Sequence, residues 1–411
     1  MESNRNYLSR GEVMDSEQQK ETRKPFWGLN SVILVLGIVS LMTDLSSQMI
    51  VPILPLYLTS ILHVQVGTLG IIEGIAESTA SILKFFSGWM SDRFGKRKWL
   101  MVGGYGLSNL IKPFFALSST WGQVLFIRFA DRIGKGIRTS PRDAILADTT
   151  TKEERGKAFG FRRSMDTLGA ALGPLVTYMI LTLWNGSYQS VFWFSAIPGL
   201  VATLLLIFFL KDKRNQKTPP SSVKRLPKIS FKGLHPRFVW FTLITLLFTI
   251  GNFSDAFLIL RAKDVGMAAA YIPLTYFAYN IVTSIFSTPF GMISDRIGRR
   301  PVLITGYLMF ALIYLGFGLV HTVSGIWVLF FVYGVYYATT EGIQKAYVSD
   351  MVPEGQRGMA LGTFNALIGI AALPASVMAG FLWQSFGAFT AFGVSSILAI
   401  ISALLMLIFR I

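Results

Sequence analysis

The sequence predicts an all-α membrane protein of twelve transmembrane helices in two pseudo-symmetric six-helix bundles. Three observations predict it. The 411-residue chain is 52% hydrophobic and only 15% charged, whereas a water-soluble domain carries about a quarter charged residues. The apolar residues fall into runs of roughly 20 or more, the length that crosses a bilayer core of about 30 Å. A charged string that follows the second run returns after the eighth, the mark of an internal repeat.

Taken in order, residues 1–30 are polar and read as a cytoplasmic tail. The run behind them is too long for a signal-peptide core and reads as a retained spanning helix. Segments 1 to 6 lie near 31–58, 68–90, 99–118, 120–147, 157–183 and 189–210. A basic cytoplasmic linker, 211–236, follows. Segments 7 to 12 lie near 237–262, 270–293, 301–321, 324–349, 356–382 and 386–409. The expected division is an N-terminal half at 31–210 and a C-terminal half at 237–411. Segments 4 and 10 carry many charges and make the weakest spans.

Loop charges set the expected orientation, because cytoplasmic loops collect lysine and arginine. One set of connections holds Arg93, Lys96, Arg97 and Lys98, then Lys152, Arg155 and Lys157, then Arg296, Arg299 and Arg300, and Arg357. The opposite connections hold one basic residue, Lys263. Both termini are therefore expected in the cytoplasm. The same asymmetry accounts for the net charge of +16 without a nucleic-acid partner. There is no cysteine, so disulfides, thiolate metal sites and cysteine nucleophiles are excluded. Three histidines are too few for a His-rich metal centre. The chain lacks a phosphate-binding loop and the spacings of metallopeptidase and serine-hydrolase motifs, so neither an ATP-driven pump nor an enzyme is expected, and no cofactor.

The repeat is specific. Gly88, Asp92, Arg93, Gly95 and Arg97 recur as Gly291, Asp295, Arg296, Gly298 and Arg300, 203 residues on, with Pro301 in the place of Lys98. Asp148, Arg155 and Gly156 recur as Asp350, Arg357 and Gly358, 202 residues on. Parallel repeats of this kind build secondary transporters. The string after segment 2, with its degenerate copy after segment 8, resembles the signature loop of the major facilitator superfamily. The resemblance extends over roughly residues 30–410 and implies the major facilitator fold. It also implies that Asp92 and Arg93 latch the outward-facing state. Segment 5 has Gly160, Gly169, Gly173 and Pro174, which resembles the family's antiporter motif, with Thr177-Tyr178 where that motif ends in a glycine pair. Arg132, Lys135 and Gly136 are similar to an Arg-x-x-Gln-Gly pattern linked to proton transfer, with lysine in place of glutamine. The run from Gly134 to Asp143 resembles a prokaryotic subgroup, some of whose relatives are associated with iron or siderophore handling.

An ionisable side chain inside a bilayer is costly and marks a functional hypothesis. Asp44 lies 13 residues into segment 1, about 20 Å along its axis, with no basic neighbour in sequence. It reads as a proton carrier, or else as an ion-pair partner of segment 4 or a helix-cap residue near the breaks at Pro52 and Pro55. Arg132, Glu73 and Asp255 join it as proton-coupling candidates. On segment 4, Asp131, Lys135, Arg138 and Arg142 share a face, with Arg128 beside it. Around segments 4 and 5, Arg128, Arg132, Lys135, Arg138, Arg142, Arg162 and Arg163 stand against Asp131, Asp143, Asp148 and Asp166, and that excess of cations favours an anionic substrate. Lys135, Arg128, Arg138, Glu341 and Lys345 are cavity candidates. Glu341 and Lys345 also read as a plain i,i+4 pair, and Glu77 and Arg261 as salt-bridge formers. Arg142, Asp143, Asp148, Arg162, Asp166 and Asp350 read as a cytoplasmic gate. Tyr276, Tyr279, Tyr336 and Tyr337 lie on segments 8 and 10, where sequence alone does not choose which of them face a cavity.

The expected function is a proton-coupled secondary transporter of a small organic solute, working as a monomer in the bilayer of a bacterial inner membrane. Export by antiport is favoured by segment 5. Import of an anionic solute or carboxylate-type metal chelate is favoured by segment 4. A non-transporting sensor or scaffold is the third reading.

Overall fold

The structure, a computed structural model, describes residues 30–94, 97–151, 154–183, 187–210, 235–353 and 356–410. The expected tail (apart from residue 30), most of the linker, Gly95 and the side chain of Asp92 lie outside the described residues. Among the described residues the chain is helical, with no strand. Twelve spans follow one another: α1 (Ser31–Ile61), α2 (Val66–Phe94), α3 (Arg97–Ile111, continued by a 3-10 turn, Lys112–Leu117), α4 (Trp121–Asp148), α5 (Arg155–Leu183) and α6 (Tyr188–Phe209). Then come α7 (Pro236–Asp264), α8 (Ile272–Ile297), α9 (Arg299–Leu319), α10 (Val323–Asp350), α11 (Arg357–Phe386) and α12 (Ala388–Ile408).

Local chemistry sets the helix starts. Asn30 accepts the Val32 amide at 3.2 Å, Thr120 and Gln123 form a reciprocal capping box on α4, and Thr322 caps α10 through Gly325 at 3.2 Å. Each satisfies amides that the first turn of a helix leaves unpaired. Two spans are broken. In α1 the regular helix stops at Ile50, and after Pro52 and Pro55 the chain continues as a π turn, Tyr57–Ile61; a proline cannot donate the intrahelical bond at its own position. In α7 it stops at Gly251, runs irregularly through Asn252–Ser254, and resumes at Ala256.

Nine of the described helices are long and apolar enough to cross a membrane on their own. The other three spans are α3, α4 and α8. The doubt over segment 4 was placed correctly, whereas α10 meets the criterion despite Glu341 and Lys345. Large apolar side chains such as Leu312 (70% exposed) and Ile408 (72%) face outward, where lipid rather than water suits them. 

Packing follows the repeat. α2 lies on α4 as α8 lies on α10, and α3 lies on α4 as α9 lies on α10. The two halves meet along α2 with α11 and α5 with α8, which are equivalent pairs. Within the N-terminal half α1 packs on α5 through the glycine motif. A Cβ at Gly173 would sit 2.7 Å from Gln48 Cβ and 3.0 Å from the Leu45 carbonyl oxygen, and one at Gly169 3.0 Å from the Leu45 amide. Thr177 donates to the Met49 carbonyl at 2.8 Å one turn on. These glycines let two backbones touch, so Gly173→Val is expected to destabilise the protein by about 1–3 kcal/mol through overpacking. Thermal unfolding in detergent checks this, with Gly160→Val as the control, because a Cβ there meets open space.

Candidate functional site

The halves enclose a polar chamber of about 410 Å³ between α1, α2, α4, α7, α8, α10 and α11. It is continuous, through Ser81, Tyr337, Ile368 and Gly369, with a wider vestibule of about 880 Å³. The vestibule runs toward the end of the bundle that carries the repeated basic strings, past Lys84, Glu341, Gln344, Lys345 and Met359. The opposite end is closed by contacts between the halves. Lys263 of α7 bonds Ser60 of α1, Gln384 accepts the Gly67 amide at 3.0 Å and donates to Gln65 at 3.0 Å, and Leu54–Leu56 packs against the second part of α7.

The N-terminal wall is charged, and most of that charge is paired. Arg128 of α4 meets Glu73 of α2 at 3.0 Å, both buried, and Arg132 meets Glu77 one turn on, also at 3.0 Å. Asp131 accepts from Ser108 at 2.5 Å. Lys112, 1% exposed, donates to Ser47, Asn109 and Ser46 at 2.8, 3.1 and 3.2 Å. Asp44 and Lys135 line the same wall, and the side chain of neither makes an ion pair or hydrogen bond to a described residue. The alternative of a fixed pair between Asp44 and α4 is therefore not seen.

The C-terminal wall differs in kind. Asp255, at the break in α7, accepts the Tyr276 hydroxyl at 2.6 Å and the Tyr333 hydroxyl at 2.7 Å. The break itself is tied to other helices: Ser254 donates to Glu73 at 3.2 Å, and its amide donates to Ser376 of α11 at 3.3 Å. Glu73 thus holds Arg128 in one half and Ser254 in the other through the same oxygen.

Several sequence expectations change. The cation excess of helices 4 and 5 does not carry into the chamber, which is lined by five acids (Asp44, Glu73, Glu77, Asp131, Asp255) and four cations (Lys112, Arg128, Arg132, Lys135). The reason is tertiary, since α2 lays two acids along the basic face of α4. Arg138 points away from the chamber and stacks 4.3 Å over the Tyr105 ring of α3. Glu341 and Lys345 pair at 3.3 Å and belong to the vestibule, where Arg163 reaches Glu341 across the halves at 3.5 Å. Arg261 makes no salt bridge among the described residues but donates to the Phe317, Gly318 and Val320 carbonyls at the end of α9, at 2.8 to 3.3 Å.

Of the gate set, Arg162 pairs with Asp166 at 2.5 Å inside α5, and Arg142 with Asp143 at 3.0 Å. Asp148 pairs with Arg97, while Asp350 pairs with Arg299 at 3.3 Å, which also holds Asp295 at 2.5 Å. Gate and latch residues thus meet once in each half, at Arg97–Asp148 and at Asp295–Arg299–Asp350. Arg93 lies 5.1 Å over Trp89, Gly88 faces Ser140, and Arg296 is exposed. Of the four tyrosines left open, Tyr276 and Tyr337 line the chamber. Sequence reading missed Tyr333, Ser254 and Lys112; a lysine beside Pro113 in an apolar run was the available signal for the last.

The model of the Major Facilitator Superfamily matches residues 36–262 and 255–411. An uncharacterized MFS-type transporter of Methanocaldococcus jannaschii is 39% identical over 92% of this chain and 95% of its own length. The multidrug resistance protein MdtL of Escherichia coli is 30% identical over 55% of this chain and 57% of its own. The crystal structure of a D-xylose-proton symporter shares the fold, with a TM-score of 0.74 at 19% identity, over 92% of this chain and 96% of that one. With twelve spans in two related halves around a central chamber, the chain belongs to the Major Facilitator Superfamily and is a multi-pass membrane transporter of a small solute.

Proposed function

We propose that the protein is a proton-coupled exporter that exchanges a small organic solute for protons across a bacterial inner membrane, with both termini in the cytoplasm. The observation that carries this reading is Asp44, an acid facing the chamber from the middle of α1 with no fixed partner. A group that must bind and release a proton once per cycle needs such freedom, and a permanent ion pair would remove it. On this orientation the vestibule faces the cytoplasm and the structure is inward-open. The likeness to MdtL, named a multidrug resistance protein, favours export. Anion import, the competing reading, loses support because Glu73 and Glu77 pair with Arg128 and Arg132 of the positive helix it relied on.

Alternating access then closes the vestibule while the Lys263–Ser60 and Gln384 contacts part. The clusters Arg97–Asp148 and Asp295–Arg299–Asp350 sit where helix ends must slide during that exchange. Asp92→Asn is expected to slow exchange between states while leaving substrate binding intact. Single-molecule fluorescence between the halves reads the rate, and lost binding in folded protein would count against the latch role.

The test of the whole reading is a proteoliposome holding a pH gradient and a pH-sensitive dye. Organic cations, neutral drugs, organic anions and carboxylate chelates are added one at a time. Proton movement that depends on a cation or neutral solute supports export. Movement with anions alone restores the importer, and no movement with any member defeats proton coupling.

A further inference from the structure

Charge bookkeeping around the chamber leaves one residue over. On the N-terminal wall, Glu73 offsets Arg128 and Glu77 offsets Arg132. The remaining Asp44 and Asp131 are matched in number by Lys112 and Lys135. On the C-terminal wall Asp255 stands alone: α7, α8, α10 and α11 bring no basic residue to the chamber lining. Its two oxygens accept hydrogen bonds from the Tyr276 and Tyr333 hydroxyls, which hold it in place without cancelling its charge. A carboxylate in a sparsely solvated site needs a counter-charge. The surroundings also suit one particular kind. Phe253, Tyr276, Tyr333 and Tyr337 present aromatic surface to the same space, and ring faces attract cations. A volume of about 410 Å³ falls in the range of small-molecule pockets.

Resting on the export reading above, the geometry points to an organic cation as the substrate, its positive charge received by Asp255 and its apolar body by the tyrosines of α8 and α10. This moves Asp255 from proton coupling to substrate recognition and divides the labour between the walls. Asp44 on α1 handles the proton, and Asp255 on α7 reads the cargo. Both belong to the same chamber, so arrival of one charge bears on the other through the shared field.

Binding of labelled tetraphenylphosphonium and of tetraphenylborate, ions of one shape and opposite sign, is measured by equilibrium dialysis on purified protein in nanodiscs, with empty nanodiscs subtracted. The wild type is expected to bind the cation at least about tenfold more tightly than the anion, the scale of one charged contact. Asp255→Asn is expected to lose that preference, while Asp255→Glu keeps it. The assignment is overturned if the Asn variant binds the cation as the wild type does, or if both ions bind equally. Absence of binding by either ion, or loss in the Glu variant when the protein remains monodisperse, overturns it too. Cation binding without proton-linked movement in liposomes would leave the site standing and defeat only the antiport reading.

Discussion

Asp44→Asn is expected to reduce substrate-dependent proton movement in proteoliposomes to the level of protein-free vesicles, while the protein stays folded. Asparagine keeps the size and the hydrogen-bonding reach of aspartate but has no proton to exchange near neutral pH. The backbone around the site is tight, with a Cβ at Gly169 falling 3.2 Å from Asp44 Cβ, so a near-isosteric change is the right probe. Exchange of labelled for unlabelled solute at equal pH moves no net protons and is expected to persist. Asp44→Glu is expected to retain part of the coupled flux. Coupled flux equal to wild type in the asparagine variant would remove Asp44 from the mechanism and shift attention to Lys135, the other chamber charge without a described partner.

Arg128→Met is expected to be the most destabilising single change, at about 3–5 kcal/mol. It strands Glu73, 3% exposed, beside Ser254 with no cation. The double variant Arg128→Met/Glu73→Met is expected to recover most of that loss, because a buried pair replaced as a unit costs little or nothing. Recovery stays incomplete by roughly 1 kcal/mol, since Ser254 then loses its acceptor. Thermal midpoints of the four proteins in nanodiscs close the cycle. Additive losses in the double variant would mean that the two side chains are independent, contrary to their 3.0 Å contact.

Much of this architecture was legible in the sequence because membrane helices are written in long apolar runs and repeats in recurring strings. Spans near 31–58 and 237–262 were found, the first with its break at Pro52 and Pro55, yet the break in the second was not. Proline marks the first break, but the second, at Asn252–Ser254, has no proline and is held open by partners on α2 and α11. The chemistry-bearing residues were mostly named, and their pairings were mostly not. Glu341 with Lys345 was readable because four residues make one helical turn. Arg128 with Glu73 was not, because 55 residues separate them and only the packing of α2 on α4 brings them together. Counting charges along segments 4 and 5 alone therefore gave the wrong sign for the chamber. Tyr333 stood among several equivalent tyrosines, and only the position of Asp255 distinguishes it.

The pairing of α2 with α4 also bears on how the protein is made. Arginine at the middle of a membrane helix costs about 2.5–3.5 kcal/mol during insertion, and α4 brings Arg128 and Arg132 to its buried face. It is not among the nine described helices that are long and apolar enough to cross a membrane on their own. Synthesis runs from the N-terminus, so α2, with Glu73 and Glu77, leaves the ribosome before α4 does. The acids are already in the membrane when the arginines arrive, and α4 enters against a waiting partner instead of bare lipid. The order of helices along the chain thus places Glu73 and Glu77 ahead of the two arginines they pair with.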